Sequence, residues 1–112
     1  MVNVTIQDVF GAEFSAGTFT LDDTPRTIIK KCAIEHPEEA ASLFGGTDEM
    51  NRAINTDFSI DSTRSMISLV TGEDFIPLDW DKALNAQSDE VKGIVKKFKD
   101  ITLSVSVTMP NA

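Results

Sequence analysis

Both ends of the chain read as β-strand, and no other feature restricts its fold as much. Over residues 101–109 the pattern alternates without a fault, with Ile101, Leu103, Val105, Val107 and Met109 on one side and Thr102, Ser104, Ser106 and Thr108 on the other. Val2, Val4 and Ile6 alternate with Asn3, Thr5 and Gln7 in the same way. A period of two in β-branched residues marks a strand with one buried and one wet face. Between the two ends the apolar spacing is largely helical. A chain that opens and closes in strands must fold back on itself, so residues 1–112 are expected to form a single α+β domain.

Local signals divide the middle of the chain. The first strand is expected over 2–9, a turn over 10–13 and a second strand over 14–21. Phe19 and Leu21 share one parity and Phe14 has the other, which calls for a bulge near Ala16-Gly17, where glycine accepts unusual backbone angles. Asp22-Asp23-Thr24-Pro25 reads as a helix start, because Thr24 or Asp23 can accept free N–H groups and Pro25 needs no donor in the first turn. Ile28, Ile29, Cys32, Ala33 and His36 then form an apolar stripe with a 3.6-residue period, and Pro37 should end the helix near His36.

Glu38-Glu39 suit a fresh helix start, which Gly45-Gly46 should end, and Thr47-Asp48-Glu49 opens a third helix with Met50, Ala53 and Ile54 on one side. Residues 55–65 read as loop. Strands are expected over 66–70 and 75–78 about a turn at Gly72, with Pro77 marking an edge. Asp79 is expected to cap a turn of helix holding Trp80, Ala83 and Leu84. Ser88 should cap the last helix, with Val91, Ile94, Val95 and Phe98 as its buried face.

A hairpin, a first long helix, further strands and a final strand is the element order of the β-grasp fold. The stretch Thr18-Phe19-Thr20-Leu21-Asp22-Asp23-Thr24-Pro25-Arg26-Thr27-Ile28-Ile29-Lys30-Lys31 resembles the strand-to-helix junction of ubiquitin-like proteins. The resemblance implies a β-grasp-like mixed sheet packed on a main helix, with additional short helices and a C-terminal strand. Ubiquitin-like modifiers and the related sulfur carriers end in an exposed Gly-Gly whose carboxylate is adenylated. This sequence ends Met109-Pro110-Asn111-Ala112, and its Gly45-Gly46 pair reads as a helix C-cap.

The net charge of −8 is unevenly placed: residues 1–91 hold 17 acids and 6 bases, whereas Lys92, Lys96, Lys97 and Lys99 face only Asp100 in the remainder. The acidic body argues against direct nucleic-acid binding, where phosphates need Lys and Arg. No stretch approaches the ~20 apolar residues of a membrane span. The N-terminus has no basic and apolar leader pattern, and the single cysteine suits a reducing compartment, so a soluble cytoplasmic protein is expected.

The chemistry-bearing residues are sparse. Cys32 and His36 share a helix face, but they are the only Cys and His, and Cys32 lies inside the aliphatic stripe, so core packing is the better reading. The acidic pairs fall mostly at helix starts and a turn, and neither a calcium-loop spacing nor a glycine-rich phosphate loop occurs. The sequence therefore predicts a non-enzymatic, protein-binding module without cofactor or metal: an adaptor, accessory or inhibitory subunit, of a kind found in bacteria or phages. The candidate partner-binding residues are Trp80 with Asp79 and Asp81, and Glu73 with Asp74, since Trp is enriched in interface hot spots and the terminal strands offer edges for sheet extension. Two alternatives stand beside it. One is an acidic nucleic-acid mimic that inhibits a DNA- or RNA-handling enzyme. The other is a small carrier related to ubiquitin-like modifiers but lacking their Gly-Gly end.

Overall fold

The two terminal strands lie side by side in the middle of one sheet. The computed structural model describes residues 1–111. Its strands are β1 (Val2–Gln7), β2 (Glu13–Phe19), β3 (Met66–Thr71), β4 (Asp74–Pro77) and β5 (Asp100–Ser106), arranged in the order β2-β1-β5-β3-β4. β1 and β5 run parallel, and every other pairing is antiparallel. The architecture is α+β, a mixed sheet with helices α1 (Pro25–Glu35), α2 (Pro37–Ala40), α3 (Thr47–Asn55) and α4 (Asp89–Lys97). The expectation that the terminal strands offer free edges is thereby corrected. β1 and β5 each have a neighbour on both sides, and the edges are β2 and β4.

The alternation of the terminal strands sets the core. Val2, Val4 and Ile6 of β1, Ile101, Leu103 and Val105 of β5, and Ile67 and Leu69 of β3 are buried, and the α1 stripe Ile28, Ile29, Cys32 and Ala33 joins them in one apolar cluster. The opposite face carries Thr5, Thr102, Ser104 and Ser106, all half-buried. Buried alternation persists through Val107 and Met109, although the strand itself ends at Ser106.

β1 stops at Gln7, two residues early, because the Asp8 backbone and carboxylate turn the chain back on itself. In β2 the pairing slips between Val4↔Gly17 and Thr5↔Ser15, leaving Ala16 as the extra residue of a bulge. Gly17 there has φ +107°, a conformation costly for any side-chain-bearing residue. The bulge returns Phe14 to the core side, opposite Ile6.

The caps follow local chemistry. The Thr24 hydroxyl accepts from Thr27 N–H with Pro25 in the first turn, and Ser88 accepts from Val91 N–H, each cap contributing about 1 kcal/mol. The chain leaves α2 through a 3-10 turn, Ala41–Phe44, which Gly45 ends with φ +82°. Three expectations need correction. His36 is the C-cap of α1, with φ −131° and ψ 56°, so its side chain departs from the stripe and is only half-buried. Ile54 of α3 is exposed. Asp79 opens a turn and not a helix, and the short 3-10 helix comes later, at Leu84–Ala86.

Chemical denaturation of three single variants tests the two-faced last strand. Val105→Asp places a carboxylate at a position 1% exposed and should cost several kcal/mol, comparable with the ~5–15 kcal/mol stability of a whole domain. Ser104→Asp and Ser106→Asp, on the half-exposed face, should each cost about 0.5 kcal/mol or less. Equal large losses from both faces would refute one-sided burial.

Candidate functional site

The sheet comes apart at one end. β3 pairs with β5 from Met66↔Ser106 to Leu69↔Leu103, and the ladder stops there. Beyond that point β3 continues with β4 to Thr71↔Asp74, and β5 continues with β1 to Asn3↔Asp100. The facing backbone edges of Val70–Thr71 and of Ile101–Thr102 therefore have no ladder partner. A groove of about 430 Å³ occupies the gap, walled by Leu69, Val70, Ile101, Ile94 of α4 and Phe98 just beyond that helix. Its size is in the range of ligand and peptide sites. Thr71, Gly72, Asp100 and Thr102 form the rim.

Phe98, expected on the buried face of α4, is instead 51% exposed. The helix ends at Lys97, and Phe98 adopts φ −105° and ψ 137°, so its ring leaves the line of Val91 and Val95 and stands at the groove mouth. Lys97 Nζ sits 5.4 Å from the centre of that ring, within cation–π range. Lys96 and Lys99, near it in sequence, are exposed. Asp100 accepts a hydrogen bond from the Asn3 side chain at 2.9 Å, which holds the start of β5 against β1.

The residues singled out from sequence do not line the groove and are not brought together. Trp80 is 6% exposed and belongs to the core. Asp81 engages Arg26 through two hydrogen bonds, Nε to Oδ1 at 2.7 Å and Nη2 to Oδ2 at 3.2 Å, and Arg26 also donates to the Phe58 carbonyl at 2.7 Å. The hydrogen bond from Arg26, reinforced by its charge, holds the Asp81 carboxyl below its ordinary range. The buried Gln87 side chain bonds Asp79 N–H, Asp79 C=O and Lys82 C=O, clamping the same loop. Asp79, Trp80 and Asp81 thus fasten the segment after β4 to the start of α1, where Arg26 N–H also donates to the Trp80 carbonyl at 3.0 Å. Glu73 lies in the β3–β4 turn and Asp74 is the first residue of β4, about 13 Å away along that strand. There they adjoin Gly72 on the groove rim.

Arg26 also secures a strained corner. Asp57 and Phe58 have φ of +51° and +59°, a region that costs a bulky residue roughly 1–3 kcal/mol. Phe58 is held there by burial, by its N–H to the Ala53 carbonyl at 2.7 Å and by the guanidinium on its carbonyl. Lys30 pairs with Asp57 at 2.7 Å and lowers that carboxyl's pKa by hydrogen bond and charge. Packing and these bonds account for the corner without a ligand.

Cys32 is buried, and its burial, with a smaller contribution from the Glu35 charge, pushes the thiol up to about 12. His36 Nδ1 stands 3.6 Å from Glu39 and its ring packs on Phe14. Among the described residues no group of three or more His, Cys, Asp or Glu side chains is placed to hold a metal ion, and no helix is long and apolar enough to cross a membrane. No family model, no curated protein and no solved structure matches the chain.

The groove has no direct signature in the sequence, because it arises from where two strands part. The nearest signal is Phe98, an aromatic at the C-terminal boundary of a helix, followed by the charged Lys99-Asp100.

Thiol labelling tests the placement of Cys32. In the folded state a thiol reagent should react slowly at pH 8, with a large acceleration in denaturant, since the thiolate is the reactive form. The raised pKa also means that the protonated thiol favours folding up to pH ~9, and this contribution is lost as pH rises towards 12. Fast labelling of the native protein would place Cys32 outside the core.

Proposed function

We propose that this chain is a non-catalytic protein-binding domain and that its binding site is the groove between β3 and β5. The observation that carries this reading is the open end of the sheet, where apolar walls and ladder-free backbone edges meet beside the half-exposed ring of Phe98. That combination suits a polypeptide. Apolar side chains of a partner fill such a groove while main-chain groups pair with a free edge. An aromatic that stands in water in the free protein is a natural anchor for an interface.

The mixed sheet supports the reading at the level of architecture, since the parting of β3 from β5 leaves one sheet end open. The acidic surface then serves partner selection and association rate more than affinity. An adaptor, accessory or inhibitory role fits the small size and the absence of a recognised catalytic motif in the sequence.

Affinity capture from the native host, with wild-type protein and Phe98→Asp run in parallel, tests the proposal. The exposed substitution should leave the fold intact, shown by an unchanged denaturation midpoint. Wild type should retain a specific partner, and Phe98→Asp should lose it by about tenfold or more. Equal recovery by both proteins, or turnover of a metabolite that survives the Phe98 change, would overturn the reading.

A further inference from the structure

The two sides of the groove differ in chemistry. Strand alternation puts Leu69 and Ile101 on the helix side of the sheet with Ile94 of α4, and Val70, Thr102 and Asp100 on the open side. The half-exposed Phe98 completes the apolar wall. An occupant of the gap therefore meets hydrocarbon on one side and, on the other, a hydroxyl and a carboxylate.

Asp100 is the one formal charge in the lining. The Asn3 side chain donates to one of its oxygens at 2.9 Å, and among the described residues the other oxygen accepts no hydrogen bond. Glu73 and Asp74, both exposed, follow Gly72 on the rim of β3. Lys97 rests on the Phe98 ring but does not line the groove. The charge that an occupant meets inside thus has one sign, and a cation complements it.

The main chain adds a second requirement. The Lys99 carbonyl turns towards β1, where it accepts from Asn3 N–H at 2.7 Å. Main-chain groups alternate in direction along a strand, so those of Asp100 and Thr102 turn the other way, into the gap. Beyond Leu69↔Leu103, β3 offers them no ladder partner. An extended polypeptide satisfies such groups by strand pairing, and an apolar small molecule does not. Neighbouring side chains of an extended segment also point to opposite faces. A segment that sends an apolar side chain towards Ile94 sends the next one past Thr102 and Asp100.

We infer that the groove takes an extended peptide of a partner protein in which Lys or Arg stands one or three positions from an apolar residue. The inference rests on the groove being a protein-binding site and adds the chemistry of what it binds. The apolar side chain fills the space beside Ile94 and Phe98, and the base pairs with the free oxygen of Asp100. The ladder closes the groove at Leu69↔Leu103, so only a few residues insert and a short linear motif carries the recognition. The overall charge of −8 attracts the same partner at longer range, most strongly at low salt.

Selection from a random peptide library displayed on phage, against the immobilised full chain, tests this alongside Asp100→Asn and Phe98→Ser. The amide oxygen in Asp100→Asn still accepts from Asn3, and Phe98 is exposed, so both variants should keep the wild-type denaturation midpoint. Wild type should enrich sequences with Lys or Arg one or three positions from Val, Ile, Leu or Phe. A synthetic peptide of the enriched sequence should bind Asp100→Asn at least about threefold more weakly and with a shallower salt dependence, as the loss of a rim ion pair requires. It should bind Phe98→Ser at least about tenfold more weakly. Enriched peptides without bases that still need Phe98, or equal binding to wild type and Asp100→Asn, would overturn the charge requirement and leave the groove as a protein-binding site. Enriched peptides that bind Phe98→Ser like wild type, or no enrichment at all, would overturn the site as well. A chain that sediments as a dimer, with the dimer lost on Phe98→Ser, would make a second copy the occupant and contradict the inference.

Discussion

The parallel pairing of β1 with β5 holds this structure together, and it is the most demanding contact in it. Asn3↔Asp100 through Gln7↔Ser104 joins residues almost a whole chain apart. Closing a loop of that length costs roughly 4 kcal/mol beyond a constant, from the logarithmic dependence on length. The return comes from Val4, Ile6, Leu103 and Val105, which are fully enclosed only when both strands sit mid-sheet. β2 attaches through β1, β3 through β5, and β4 through β3, so the sheet has no order of strands without the central pair. Folding should accordingly be cooperative, with the long-range pair limiting its rate.

The same arrangement explains the groove. β5 has a parallel partner on one side and an antiparallel partner on the other, and it keeps its pairing with β1 to the very start while losing β3 beyond Leu103. Asn3, through its bond to Asp100, fixes the side that stays closed. α4 delivers the chain to β5 at that point and leaves Ile94 and Phe98 in the opening. The site and the fold thus share one cause, a strand committed to one neighbour and released by the other.

Much of this is legible in the sequence where the signal is local. The alternation over 101–109, the Thr24-Pro25 and Ser88 starts, the Gly45 stop and the Ala16-Gly17 bulge depend on neighbours a few residues away, and each stands in the structure. The losses occur where a pattern runs past the end of its element. Phe98 continues the spacing of Val91 and Val95, and His36 that of Cys32, yet each sits at a cap whose backbone angles turn the side chain off the helix line. Trp80, Asp79 and Asp81 mislead for another reason. Their partners, Arg26 and Gln87, are fixed by the tertiary fold, and Arg26 lies 55 residues from Asp81. Pro77 does mark β4 as an edge, but that the terminal strands lie mid-sheet is hidden, because alternation reports a buried face and says nothing about lateral neighbours.

Native-state hydrogen exchange on the full chain bears most directly on the central pair. If β1 and β5 carry the sheet, their amides should form the slowest class, exchanging together and only through global unfolding, with the Asp8 loop and the groove end of β3 opening at lower free energy. A β1–β2 hairpin that exchanges as a unit well before α1 and the β3–β4 pair would show that the terminal strands are appended to a core formed without them, and would contradict the central role of the β1–β5 pair.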